Sequence, residues 1–212
     1  MNQNDDLPRV LVSYLTLRRL VGMLGVLLPI LLALGCLAFG WCTTLQDSIS
    51  DYYGTRMRNV LVGVLFTIGW FLFSYRGYQR RDDVAGDLAC VFAMGVALFP
   101  TTSADGVVRA IHLSSAAALF LVLAYFSLFL FTKTKKDATP TRQKRIRNRV
   151  YRTCGVVMLA CIALIALYST MLQGTGVARL RPVFWLETLA LWAFGVSWFV
   201  KGDTLWKDPR KG

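Results

Sequence analysis

Of the 212 residues, 55% are hydrophobic and only 17% are charged. That excludes an ordinary soluble domain, in which about 45–50% are apolar and about 25% charged. The net charge of +12 comes from 24 Lys and Arg against 12 Asp and Glu; these cluster between apolar runs, as orientation in a membrane demands, and no basic–aromatic groove pattern points to nucleic acid.

Six apolar runs, at about 20–42, 59–76, 84–100, 107–131, 150–172 and 183–200, have the length needed to cross a hydrocarbon core of about 30 Å. The pattern predicts an all-α, polytopic, six-span helical bundle formed by a single domain over residues 1–212. No stretch between the runs is long enough for a separate soluble domain. The first run lacks a small-x-small cleavage site and is expected to remain as a span. Its Pro29 is expected to kink it near the middle. The third run ends at Pro100, and the sixth opens with Pro182, a residue suited to a first helical turn. Cys36, Cys90 and Cys161 fall inside apolar runs and Cys42 and Cys154 at run edges, so all five are expected to be small buried hydrophobes and not a disulfide framework.

With six crossings, 19 of the 24 Lys and Arg lie on the side of the N-terminus and 5 on the other. The positive-inside rule then places both termini in the cytoplasm. The longest polar segment, around 132–149, becomes a basic cytoplasmic loop whose bases attract anionic lipid headgroups at about 1 kcal/mol each. Three runs end alike, in FLFSYRG, FLFTKTKK and SWFVKG, which reads as aromatic belts and snorkelling bases at the cytoplasmic interface. Asp87, one turn into the third run, is expected to close the second loop by pairing with Arg76, Arg80 or Arg81.

Three polar segments then face outward: SISDYYGTRMR (48–58), TTSADGVVRAIH (101–112) and GTGVARLRP (174–182). Ionisable groups at that depth are costly and tend to pair or to line a cavity. The candidate ligand-binding residues are Asp51, Tyr52, Arg58, Asp105, Arg109, His112, Arg179 and Glu187. Asp105, Arg109 and His112 stand at i, i+4 and i+7 and would share a helix face, and Asp51 and Arg58 would do so if the second helix begins early. Glu187, one turn into the sixth run, needs a partner, with Arg179 and Arg181 nearest in sequence. His112 is the single histidine; it either rests on a neighbouring hydroxyl or carboxylate, or handles a proton beside Asp51 or Glu187. His112, Asp51 and Glu187 are the candidates if there is catalysis. One histidine falls short of a zinc ligand set, and no Walker loop, G-x-S-x-G elbow or dinucleotide fingerprint occurs, so neither metal nor cofactor is expected. Ser48, Ser50, Ser103, Ser114 and Ser115 lie at the depth of the outer cluster, and nothing in the sequence distinguishes one as a nucleophile.

The stretches SISDYYGTRMRNVLVG, MGVALFPT, HLSSAAALF, SLFLFTK, NRVYRTCG and ETLALWAFGVSWFVKG, covering most of the chain from residue 46 on, resemble an uncharacterised family of small bacterial multi-pass inner-membrane proteins. That family has a distant likeness to the Frag1/DRAM/Sfk1 membrane proteins. The resemblance implies a six-helix bundle with a polar outer face; a role in lipid organisation follows only by analogy of fold. The alkaline ceramidase and adiponectin receptor superfamily offers a second comparison. SISD and one H-x-x-S echo its serine and aspartate, but six runs and one histidine depart from its seven spans and zinc site.

The resulting expectation is an inner-membrane protein with membrane lipids as partners, whose outward pocket holds a lipid headgroup or small polar ligand. Two alternatives stay open. A metal-independent lipid hydrolase or transferase requires Asp51, His112 and a serine to converge. A small transporter requires a broken helix and a polar midplane site.

Overall fold

The structure, a computed structural model, describes residues 3–77, 79–134, 141–172, 174–202 and 205–206, with side chains from Tyr14 onward. Among these residues there is no β-strand, and six long helices follow one another: α1 (Gln3–Ala38), α2 (Arg58–Ser74), α3 (Arg80–Leu98), α4 (Gly106–Tyr125), α5 (Arg142–Leu167) and α6 (Pro182–Lys201). π-helical turns prolong α4 over Phe126–Leu130 and α5 over Tyr168–Leu172, and single 3-10 turns occupy Ser50–Gly54 and Gly176–Leu180. Four helices are long and apolar enough to cross a membrane: α1 from Tyr14, α4 and α5 with their π turns, and α6. The apolar α2 is shorter, at 17 residues, and α3 carries Arg80, Arg81, Asp82, Asp83 and Asp87 in its first turns.

Local chemistry explains the ends. α1 stops at a Schellman turn: Gly40 adopts φ 66°, Trp41 N–H donates to Cys36 O at 2.9 Å and Gly40 N–H to Leu37 O at 3.0 Å. Gln79 and Asp82 form a capping box at the start of α3, Asp105 caps α4 by accepting from Val107 N–H at 2.8 Å, and Thr141 caps α5 by accepting from Lys144 N–H at 3.0 Å. The cap at Thr141 corrects one expectation: from Arg142 on, the basic stretch is helix and not loop. Residues 135–140 of that stretch, and Lys207, Arg210 and Lys211, lie outside the described residues. α1 is one continuous helix through Pro29.

Each helix packs on its chain neighbours, and α6 returns to α1, so the six form a closed ring. The segment that follows α1 meets the start of α6 through Phe184 N–H donating to Asp47 O at 3.0 Å, while Arg19 Nε of α1 donates to Gly202 O, just past the end of α6, at 2.9 Å; the two helices run antiparallel. They approach closest at two glycines. A Cβ on Gly195 would lie 2.6 Å from Gly22 O, and one on Gly22 would lie 2.8 Å from Gly195 O. In hydrocarbon, helix association gains little from apolar burial and depends on close backbone contact, which two facing glycines permit.

One end of the ring is filled by aromatics. Trp198 stands 5.3 Å from Tyr75, 5.8 Å from Phe126 and 5.2 Å from Phe131, between ring centroids, and Phe131 stands 5.4 Å from Tyr151. All five are buried. This corrects the reading of FLFSYRG, FLFTKTKK and SWFVKG as interfacial belts. In each motif one ring, Tyr75, Phe131 or Trp198, turns inward to a shared cluster, while Phe73 and Phe129 remain exposed. The π turn after Tyr125 brings both Phe126 and Phe131 into that cluster. Around it, Arg76 pairs with Asp87 at 3.3 Å, as expected, and Lys133 pairs with the buried Asp82 at 2.7 Å.

Candidate functional site

The opposite end is polar, and the segment between α1 and α2 organises it. A disulfide joins Cys36, on the last turns of α1, to Cys42 just past the Schellman turn. This overturns the expectation for those two cysteines; Cys90, Cys154 and Cys161 are free and buried, as expected. Gly40 folds the chain back within six residues, which brings the two sulfurs together. The pair C-x5-C around a glycine at a helix end was the available signal.

From Cys42 the chain crosses the end of the ring. Arg181 Nε pairs with Asp47 Oδ1 at 3.4 Å, and Glu187 Oε2 accepts Ile49 N–H at 2.6 Å. The start of α6 thus holds the segment at two points. Glu187 takes a backbone amide as partner, and not Arg179 or Arg181 as expected: Arg179 is exposed on the 3-10 turn, and Arg181 is engaged by Asp47.

Ser48 Oγ then accepts Asp51 N–H at 3.0 Å and starts the 3-10 turn Ser50–Gly54. That turn delivers Ser50 to His112: Nε2 lies 3.0 Å from Ser50 Oγ, and Nδ1 lies 2.6 Å from Phe99 O. A carbonyl only accepts, so Nδ1 carries the proton and Nε2 receives the Ser50 hydroxyl. His112 is buried and joins three elements: the end of α3, the start of α4 and the loop above α2. Asp51 accepts from Thr101 Oγ1 at 3.4 Å, a long bond. Tyr52 is wholly buried, and burial pushes its phenol above the usual range. Thr188 Oγ1, one residue beyond Glu187, is buried and has no hydrogen-bond partner among the described residues.

Besides the exposed Arg179, three candidates fall outside this group. Asp105 is the cap of α4, with extended backbone outside the helix, so it does not share a face with Arg109 and His112. Arg109 points to the exterior while His112 points in. Arg58 opens α2 and stacks its guanidinium 4.3 Å from the centre of the Tyr53 ring, donating to its hydroxyl at 2.8 Å; Asp51 sits in the preceding 3-10 turn, so these two also lack a common helix face.

Beside the cluster a cavity of about 430 Å³ opens between the α1–α2 segment and the chain after α3, lined by Thr44, Gln46, Asp47, Asp51, Thr102 and Arg181. This lies within the range of small-ligand sites, about 300–1,000 Å³. Its one guanidinium is paired with Asp47, and among the described residues the Asp51 carboxylate has only the long Thr101 contact. No family model matches the chain, and neither does any curated protein or solved structure.

Proposed function

We propose that the chain is a multi-pass protein of the bacterial inner membrane, with six spans, both ends in the cytoplasm, and an outward-facing pocket that holds a lipid headgroup or small polar ligand. Two independent features support the orientation. Lys and Arg divide 19 to 5 between the ends. The Cys36–Cys42 disulfide belongs to the base-poor end, and such bonds persist in the periplasm and are rare in the cytosol.

The observation that carries the ligand reading is the cavity beside Asp51. An anionic wall whose only cation is already paired complements a head that bears an ammonium, as an ethanolamine headgroup does. On the opposite side Arg145, Arg149 and Arg152, with Asn148, line another cavity of about 430 Å³ along α5, in keeping with anionic headgroups at the basic stretch. The test is equilibrium binding of phosphatidylethanolamine to the purified chain and to Asp51→Asn. A drop of about tenfold supports the pocket, the order expected for a lost charge-assisted bond. Equal binding by both proteins removes it.

The Ser50–His112 contact favours a second reading, a metal-independent hydrolase or transferase, because nucleophile and base stand within reach and the base is oriented by Phe99 O. Against it, the two backbone donors nearest Ser50 are taken, Ile49 N–H by Glu187 and Asp51 N–H by Ser48, and neither is free to hold an oxyanion. A fluorophosphonate probe separates the two: labelling abolished by Ser50→Ala establishes the enzyme, and no labelling leaves the binding role.

A further inference from the structure

We propose that the base-rich end of the ring carries a dedicated site for one anionic phospholipid, in the groove between the start of α3 and the end of α4. The proposal rests on the membrane reading above, and is independent of the pocket beside Asp51 at the other end. The groove has a volume of about 650 Å³. Its walls are Val84 and Leu88 from α3 and Leu121 and Tyr125 from α4, each pair one helical turn apart, and all four are exposed. Arg80 and Arg81 stand at its mouth.

Charge decides what fits. The neighbouring acids are all engaged elsewhere: Asp82 with Lys133 at 2.7 Å, Asp83 with Gly77 N–H at 3.1 Å, and Asp87 with Arg76 at 3.3 Å. Among the described residues Arg80 and Arg81 make no ion pair or hydrogen bond, so two guanidinium groups stand free over an apolar trough. They also occupy the first turn of a 19-residue helix, whose dipole adds to the attraction for an anion. A phosphate at the mouth and an acyl chain along Val84, Leu88 and Leu121 match the two parts. A soluble phosphate would leave the trough unfilled, and a neutral lipid would leave the arginines unanswered. Basic pockets between helices at the cytoplasmic face are the setting in which such headgroups are held.

The test is binding of a fluorescent phosphatidylglycerol to the full chain in neutral detergent micelles, with phosphatidylcholine as the uncharged probe. The wild type prefers phosphatidylglycerol, and Arg80→Gln with Arg81→Gln weakens it about thirtyfold. Arg80→Lys with Arg81→Lys retains most of the preference, which guards against a folding effect. Leu121→Trp fills the trough and also weakens binding. Glycerol phosphate at millimolar concentration does not displace the lipid. Asp51→Asn leaves the affinity for phosphatidylglycerol within about threefold, so failure of the outer pocket is distinguishable, and neutralising Arg145, Arg149 and Arg152 on α5 weakens binding less than the change at Arg80 and Arg81. Equal binding of phosphatidylcholine, displacement by glycerol phosphate, or loss through the α5 variant and not through Arg80 and Arg81 would each overturn the proposal.

Discussion

Ser50 and His112, 62 residues apart in the chain, meet at 3.0 Å, with the serine hydroxyl donating to Nε2 while Nδ1–H donates to Phe99 O. One buried ring therefore ties the α1–α2 segment to the α3–α4 turn. His112→Ala is expected to cost about 3 kcal/mol, since it leaves both a cavity and an unanswered carbonyl. Ser50→Ala is expected to cost about 1 kcal/mol, one neutral hydrogen bond. Denaturant unfolding in detergent checks the ratio; equal losses would mean that the ring acts by volume alone.

The disulfide closes a loop of six residues of separation between Cys36 and Cys42. Replacing both by serine is expected to cost about 2 kcal/mol, the loop-closure value for so short a ring. Alkylation under denaturing conditions gives a direct count: Cys90, Cys154 and Cys161 react without reductant, and all five cysteines after reduction.

Where α1 crosses α6, a methyl at Gly195 has nowhere to go, because it meets the backbone carbonyl of Gly22 and Val26 Cγ2, both at 2.6 Å. Gly195→Ala is expected to cost about 1–3 kcal/mol through forced separation of the helices. Gly63 on α2 faces open space and is the control. Gly63→Ala is expected to be neutral or to gain up to about 1 kcal/mol from helix propensity. Thermal unfolding of the two variants should move in opposite directions or differ by that margin.

Trp198 touches four aromatic rings, Tyr75, Phe126, Phe131 and Phe194. Trp198→Ala is expected to cost about 3–5 kcal/mol and Trp198→Phe much less. The indole Nε1 is buried with no partner among the described residues, so the phenylalanine variant loses packing but no hydrogen bond to them. Near-ultraviolet circular dichroism should report the loss of the fixed ring cluster in the alanine variant alone.

Hydropathy and charge made much of the architecture legible. The ends of the apolar runs at Pro182 and near Asp105 agree with the starts of α6 and α4, because Pro at the first turn and Asp at the cap act locally. The Arg76–Asp87 pair was readable for the same reason, only a short turn separating them. Sequence spacing failed at the outer site. Asp105, Arg109 and His112 have helical spacing, but capping takes Asp105 out of the helix, and of the other two His112 is buried while Arg109 is exposed. The partner of Glu187 was sought among nearby arginines and lies at Ile49, 138 residues away, in the form of a backbone amide that no side-chain pattern reveals.

By itself the sequence determined that this is an all-helical chain with apolar segments of membrane-crossing length, because hydropathy and charge act residue by residue and sum along the chain. Only the tertiary structure decided which polar groups meet. The double grip of α6 on Asp47 and Ile49, the meeting of Ser50 with His112, and the inward turn of one ring from each of three similar motifs depend on helices that are distant in sequence and adjacent in the ring. Such contacts arise from the geometry of closure, and no local term in the chain encodes them.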